Sequence, residues 1–207
     1  MVGAERFVVM EIVFFGQSCF KIKGKKITIV FDPVKTVTSA KLSADIVIWT
    51  KNPNGESFGG IKTPADVKPV VIYAPGEYEI GGTEIIGIAQ EKGLTATTSF
   101  LAKIDGVTLV NLANLTLKLT QQQLETFAKA DILFIPLAGS RNLGEIAAEL
   151  EAKIIIPADY NHDSQTKLAS FLKEIGKQEL KPVEKLQISS QNLPEETEVV
   201  ILKPWQT

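Results

Sequence analysis

Two polar segments that follow apolar, strand-like runs contain side chains that could bind a metal or move a proton. Glu56 belongs to "KNPNGESFGG", which follows the apolar run "IVIWT". Asp159, His162 and Asp163 belong to "PADYNHDSQ". The three carboxylates, together with carbonyl oxygens, could hold a hard cation such as Mg²⁺ or Ca²⁺. Acidic loop residues more often face solvent, which is the simpler interpretation.

His162 is the one histidine of the chain, and this bears directly on zinc chemistry. A hydrolytic zinc needs three or four N, S or O ligands, and these are usually imidazoles because the bound water must ionise near neutral pH. His162 lies just before a predicted helix start at Ser164, where an ordinary role in a loop or cap explains it. The residue types alone therefore do not predict a histidine-rich zinc centre.

Two side chains that can act as nucleophiles, Ser18 and Cys19, are neighbours in "QSCFKI". A reactive thiolate needs an electropositive neighbour or a paired base, and a catalytic serine often lies on a G-x-S-x-G elbow. The segment offers neither, so we predict that Cys19 is a small buried thiol on a strand. The glycine-containing segments "KGKK" and "GESFGG" do not match the G-x-x-x-x-G-K-[ST] loop that binds phosphates.

Size and charge restrict the classes of function. The chain has 207 residues, 44% of them hydrophobic and 22% charged, which predicts one domain over 1–207 with a core at about 10–204. The formal net charge is −2 and the 22 lysines and arginines are scattered, so we expect neither nucleic acid nor a membrane as partner. The single cysteine and the lack of a signal-peptide pattern favour a cytoplasmic protein.

Short β-rich runs separated by turn signals fill the first half of the chain. The predicted strands cover 11–15, 19–23, 27–31, 46–50, 70–73, 83–88, 100–104 and 107–112. Turns are predicted at 23–26, 75–82 and 105–106, and the last of these is an Asp-Gly hairpin signal. We expect these strands to be mostly antiparallel.

Helices alternate with strands in the second half. The helices are predicted in "LTQQQLETFAKA", capped by Thr120, in "NLGEIAAELEA", and in "SQTKLASFLKEIG", which Ser164 caps and Gly176 ends. The strands are predicted in "DILFIPLAG", "KIIIPADY", "EKLQIS" and "TEVVILK". Because no linker or repeat divides the chain, both halves are predicted to form one sandwich of two sheets with helices outside.

Several segments together resemble those of a known family. They are "FFGQSCFKIKGKKITIVFDP", "SADIVIWT", "APGEYEIGGTEIIGI", "NLANLTLKLTQQQLE", "ADILFIPLAG" and "IIIPADY". Their order and spacing resemble the metallo-β-lactamase superfamily, in particular the compact single-domain "Zn-dependent hydrolase" branch that is related to the ascorbate-6-phosphate lactonases. The resemblance implies a four-layer αββα sandwich of two mixed sheets with outer helices. It also implies an active site along one edge, where strand ends of both sheets meet.

The resemblance further assigns the positions at which relatives hold two zinc ions. Relatives carry His-X-His-X-Asp-His after the strand that "DIVIWT" resembles, and two more ligand segments and a Pro-Met-His-Tyr segment follow. The matching positions in this sequence are Lys51, Pro53, Gly55, Glu56, Gln90, Asn111, Asn114 and Asp159. A protonated lysine has no lone pair, and proline and glycine offer no side-chain donor atom, so three of the first four positions cannot bind zinc. Gln90, Asn111 and Asn114 offer only neutral amides, which leaves the carboxylates of Glu56 and Asp159.

Two functional hypotheses from different classes follow. The first is a protein of this fold without a zinc site or other cofactor, which binds a ligand or a protein partner, including another copy of itself. The second is a hydrolase that uses a rebuilt site of Glu56, Asp159 and His162, or another metal. Substitution of nearly all ligands favours the first. A cationic Lys51 would oppose metal entry and favour an ion pair with Glu56 or Asp159.

Overall fold

The computed structural model describes residues 9–33, 42–53, 61, 63, 65, 67–90, 97–113, 118–128, 130–138, 143–160, 165–177 and 180–205. In chain order the elements are β1 Met10–Phe14, β2 Phe20–Lys23, β3 Thr28–Phe31, β4 Ile46–Ile48, β5 Val70–Ile72, β6 Gly76–Ile80, β7 Thr83–Ala89, β8 Thr98–Ile104, β9 Val107–Asn111, α1 Gln121–Phe127, β10 Ile132–Pro136, α2 Leu143–Leu150, β11 Ile154–Ala158, α3 Gln165–Glu174, β12 Leu186–Ile188 and β13 Glu198–Val199.

These strands form two mixed sheets within the described residues. The first has six strands in the order β12-β1-β2-β3-β4-β5, and β4 is parallel to both of its neighbours. The second has seven strands in the order β13-β11-β10-β9-β8-β7-β6. Its β6 to β9 half is an antiparallel meander, whereas β9, β10, β11 and β13 are parallel. The predicted two-sheet sandwich is therefore confirmed.

An aromatic cluster joins the two sheets. Phe20 on β2 stacks on Phe14 with ring centroids 4.7 Å apart, and it contacts Phe134 of the other sheet at 4.5 Å. Phe31 lies 6.3 Å from Phe134, and Tyr160 lies 5.4 Å from Phe14. The four phenylalanines are almost completely buried. Because aromatic rings bury large apolar areas, this cluster is a major source of the sandwich's stability.

A second apolar cluster lies on the outer face of the six-stranded sheet. It consists of Val13, Phe15, Cys19, Val30, Leu42, Ala44, Val47 and Ile61, and Trp49 packs against it. Cys19 is fully buried there, which confirms the predicted burial, but it lies just before β2 and not on a strand. The buried residues of α2 and α3 instead join the main core around the seven-stranded sheet. No helix in the described ranges is long and apolar enough to cross a bilayer.

One predicted turn is wrong. Residues 75–82 were expected to be a turn, but 76–80 form strand β6, and only Gly81 and Gly82 make the connection to β7. These glycines have φ of 59° and 80°, the conformation that a two-residue hairpin turn requires. The alternation of Glu77, Tyr78 and Glu79 was the signal for a strand at an exposed sheet edge, and the flanking glycines obscured it.

The helix start at Thr120 supports a first prediction. Thr120 Oγ1 accepts from the Gln123 backbone N–H at 3.3 Å, and Gln123 Oε1 accepts from the Thr120 N–H at 2.8 Å, which completes a capping box. Thr120→Ala should lower the free energy of unfolding by about 1 kcal/mol. Thr126→Ala, outside the cap of the same helix, should leave the free energy of unfolding unchanged or raise it slightly, because alanine favours helices. Equal losses in urea unfolding would contradict the assigned cap.

Candidate functional site

The carboxyl ends of the central strands meet at one edge of the sandwich. Asn111 ends β9 and Asp159 directly follows β11, and these two strands run parallel on either side of β10. Lys51 follows β4 of the other sheet. That segment reaches the same edge because the Thr98 N–H donates to the Thr50 carbonyl at 2.8 Å. The structure therefore brings Lys51, Asn111 and Asp159 to one edge, which we call the cleft edge.

Asp159 is fixed to the turn between β1 and β2. Its Oδ1 accepts from Ser18 Oγ at 2.7 Å, and its backbone N–H donates to the Gln17 carbonyl at 2.7 Å. Asp159 has a φ of 55° and Gln17 a φ of 54°. This is a left-handed backbone conformation, which residues other than glycine, asparagine and aspartate adopt less readily. The structure thus holds the carboxylate in a defined orientation, and Ser18 serves as its hydrogen-bond donor.

Asp32, directly after β3, is the residue of the cleft edge that the sequence interpretation treated only as part of the scaffold. The Thr50 backbone N–H donates to its Oδ1 and the Thr50 hydroxyl to its Oδ2, each at 2.8 Å. Asp32 keeps a little exposure as a residue, but protein atoms enclose its carboxyl group. The pKa of Asp32 is raised to about 7: burial is the main cause and Asp159 adds to the rise, while hydrogen bonds from Thr50 and the Lys51 charge oppose it.

Gln90 lies at the end of β7, but its side chain bonds away from the space between the sheets. Its Nε2 donates to Ser99 Oγ, which itself donates to the Leu112 carbonyl at 2.7 Å. Ser99 precedes Phe100 on β8, so their side chains lie on opposite faces. Phe100 shares its face with Phe134, which contacts the other sheet. Gln90 is therefore not grouped with Asp32 and Asp159.

Asn111 is a polar residue set between aromatic neighbours. Its Cα is in register with Phe100 on β8 and with Phe134 on β10, so the three side chains share the inner face of the sheet. Asn111 is 5% exposed, and its Oδ1 accepts from the Ala113 N–H at 3.0 Å. Its Nδ2 has no hydrogen-bond partner among the described residues. An unpaired buried donor of this kind costs about 1 to 3 kcal/mol of stability.

The remaining predicted site residues divide into two groups. Lys51 is exposed and Pro53 is half-buried. Gly55, Glu56, Asn114 and His162 lie outside the described residues, as does Asp163. The predicted ion pair between Lys51 and Glu56 or Asp159 stays a prediction. What the structure adds is that the Lys51 charge lowers the pKa of Asp32. Within the described ranges, no three His, Cys, Asp or Glu side chains are grouped closely enough to hold a metal ion.

Solved structures share this architecture. A presumed zinc-dependent hydrolase of the metallo-β-lactamase superfamily from Thermotoga maritima is 26% identical, with a TM-score of 0.79 over 93% of this chain and 98% of that one. Igni18, a metallo hydrolase from Ignicoccus hospitalis, is 13% identical, with a TM-score of 0.61 over 87% and 99%. The metallo-β-lactamase fold protein YhfI from Bacillus subtilis is 14% identical, with a TM-score of 0.58 over 95% and 97%.

Sequence comparison gives a consistent result at the level of the family. A search of curated protein sequences gives no significant match. The family model described as "Beta-lactamase superfamily domain" matches residues 11–159, a range that begins in β1 and ends at Asp159 of the cleft edge. The two mixed sheets agree with this match. The chain therefore belongs to the metallo-β-lactamase superfamily.

Proposed function

We propose that this protein is a non-catalytic member of the superfamily, whose cleft edge binds a ligand or a protein partner instead of two zinc ions. The observation that carries the proposal is the set of groups present at the cleft edge. Lys51, Pro53 and Asn111 stand at positions that the resemblance matches to the zinc sites. Among these three, an ammonium and a pyrrolidine ring provide no lone pair for a metal, and a neutral amide is a weak ligand.

The carboxylates at the cleft edge support the same proposal. Asp159 directs Oδ1 to the Ser18 hydroxyl, and Asp32 directs both oxygens to Thr50. A zinc ligand needs a lone pair aimed at the metal, at about 2.0 to 2.2 Å for a carboxylate oxygen. Asp32 and Asp159 already accept hydrogen bonds from Thr50 and Ser18, and the Lys51 charge acts on Asp32. These contacts support a cleft edge that works without zinc.

Metal analysis of the purified protein tests the proposal. Protein prepared without chelators should contain much less than one zinc per chain by elemental analysis. It should show no saturable melting shift with micromolar Zn²⁺ or Mn²⁺. A metal site at a thousandfold excess of metal over Kd would add about 4 kcal/mol to the free energy of unfolding. For a chain of this size, that raises the melting temperature by roughly 8 to 16 °C. EDTA should leave the melting temperature unchanged.

The opposite result would favour the rebuilt hydrolase. Near one mole of tightly bound metal per chain, with chelator-sensitive hydrolysis of a lactone, phosphodiester or β-lactam, would overturn the non-catalytic proposal. Glu56→Gln, Asp159→Asn and His162→Gln would then identify the rebuilt ligands. Lys173→Gln, on the last turn of α3, serves as a control that removes a charge from the end of the helix farther from Asp159.

A further inference from the structure

The unpartnered amide of Asn111 has no structural explanation within the sheet. The neighbouring strands supply Phe100 and Phe134 at the same level, and an apolar residue would complete that row. Asn111 instead places an amide on the inner face, and only its oxygen is satisfied, by the Ala113 N–H at 3.0 Å. A buried polar group without a protein partner in a native structure calls for an explanation, such as an ordered water, a bound ligand or a functional role.

The place of Asn111 in the sheet also agrees with a binding role. It is the last residue of β9, at the cleft edge, and Asp32 and Asp159 follow the neighbouring strand ends of the two sheets. A group that entered between the sheets from this edge would therefore meet the Asn111 amide and then the aromatic cluster. Its 5% exposure shows that the amide is enclosed, as the anchoring polar group of a binding cleft commonly is.

We propose that Asn111 Nδ2 is the anchoring hydrogen-bond donor of this cleft, and that it binds a carbonyl or hydroxyl oxygen of an uncharged ligand. This inference rests on the proposed function, because it requires a cleft that is used for binding without zinc. It adds a chemical class of ligand and the atom that recognises it.

The charges at the cleft edge determine this class. Nδ2 can only donate, so the ligand must present an acceptor, and a simple ammonium ion has none. An anion has acceptors but would meet the Asp159 carboxylate and, above its pKa of about 7, that of Asp32, with the exposed Lys51 as an opposing positive charge. A neutral molecule with a carbonyl or hydroxyl oxygen meets neither objection, and an apolar part of it would suit Phe100 and Phe134.

Three small probes separate these classes. Acetamide is neutral with a carbonyl, acetate is anionic, and methylammonium is cationic without an acceptor. In ¹⁵N-labelled full-length protein, the Asn111 side-chain NH₂ signals are assigned by their loss in Asn111→Leu. We expect a saturable shift of these signals and of the Ala113 backbone amide with acetamide, and no saturable shift with acetate or methylammonium at equal concentration.

A matched control variant comes from the same edge. Thr97 is 3% exposed and its Oγ1 also lacks a partner, so Thr97→Val removes an equally buried unpaired hydroxyl. Thr97→Val should keep the acetamide response of Asn111. In Asn111→Leu the Ala113 response should disappear, and Asn111→Ala gives the same test if the leucine variant does not fold.

Three results would overturn the inference. If the Asn111 signals do not move with acetamide, or move equally with all three probes, Asn111 does not select an uncharged ligand with an acceptor oxygen. A persistent water contact to the Asn111 NH₂ that acetamide does not displace would assign the amide to a structural water only. Zinc content measured on the same sample separates the two proposals: stoichiometric zinc contradicts the proposed function, whereas metal-free protein without an acetamide response contradicts only this inference.

Discussion

Asp32→Asn should abolish a loss of stability that the native protein suffers between about pH 4 and pH 7. The carboxyl group has a pKa of about 7 in the folded protein against 3.8 for the exposed group. Below pH 3.8 both states are protonated and the folded state carries no penalty. As the pH rises towards 7, the unfolded chain releases its proton first, so folding becomes less favourable.

The size of this effect follows from the gap between the two pKa values. A difference of about three pH units corresponds to at most about 4 kcal/mol, and the residual exposure of Asp32 reduces it. Asparagine keeps an acceptor for the Thr50 N–H and has no charge to desolvate. The variant should therefore equal the native protein near pH 4 and be more stable than it above pH 7.

Urea unfolding of both proteins from pH 4 to pH 8 measures this difference directly. Other groups titrate in both proteins, such as Glu11, whose pKa a hydrogen bond from Lys185 lowers, so only the difference between the two curves isolates Asp32. Lys51→Met should raise the pKa of Asp32 further and extend the slope to higher pH, because Lys51 lowers that pKa. Parallel curves for native protein and Asp32→Asn would show that the carboxyl group has an ordinary pKa.

Phe134→Ala should produce the largest loss of stability among these changes, about 3 to 5 kcal/mol. The Phe134 ring is fully buried and contacts Phe20 of the other sheet at 4.5 Å and Phe31 at 6.3 Å. Removing it leaves a cavity between the sheets and ends both ring contacts. Phe134→Leu should cost less, since leucine fills most of the volume.

The measurement is again urea unfolding, with the slope of the transition checked for each variant. An unchanged slope with a lower midpoint means that the folded state has lost stability without a change in compactness. If Phe134→Ala and Phe134→Leu cost the same small amount, below about 1 kcal/mol, the aromatic cluster does not hold the sheets together and the assigned packing is wrong.

Local patterns in the sequence were sufficient for the elements whose own residues determine them. The starts of the buried strand "ILFIP" and of the capped helix after Thr120 were predicted within one residue, whereas both were predicted to end three residues too late. Strand β6 was missed because most of its residues are polar or glycine. It is a strand because it pairs with β7, and its own composition does not indicate this. The pairing of strands across the two sheets depends on contacts between distant residues, which periodicity does not reveal.

The candidate site shows the same division. The resemblance gave the positions that come to the cleft edge, and it identified Asp159 and Asn111. It gave no reason to single out Asp32, because "FDP" is an ordinary end to a strand, and the burial of its carboxyl group arises only when Thr50 closes over it. The sequence also did not predict the orientation of Gln90 towards Ser99, because this depends on the face of β8 on which the Ser99 side chain lies.

The hydrogen bond from Ser18 to Asp159 also bears on the order in which parts of the molecule fold. It joins residues 141 positions apart, and the Tyr160 hydroxyl adds a second long connection by donating to the Leu202 carbonyl. The β8 and β9 hairpin, by contrast, closes through the two residues Asp105 and Gly106. Because closing a long loop costs more chain entropy, local hairpins can form early while the cleft edge forms late. We therefore expect the contacts of the cleft edge to form after the meander during folding.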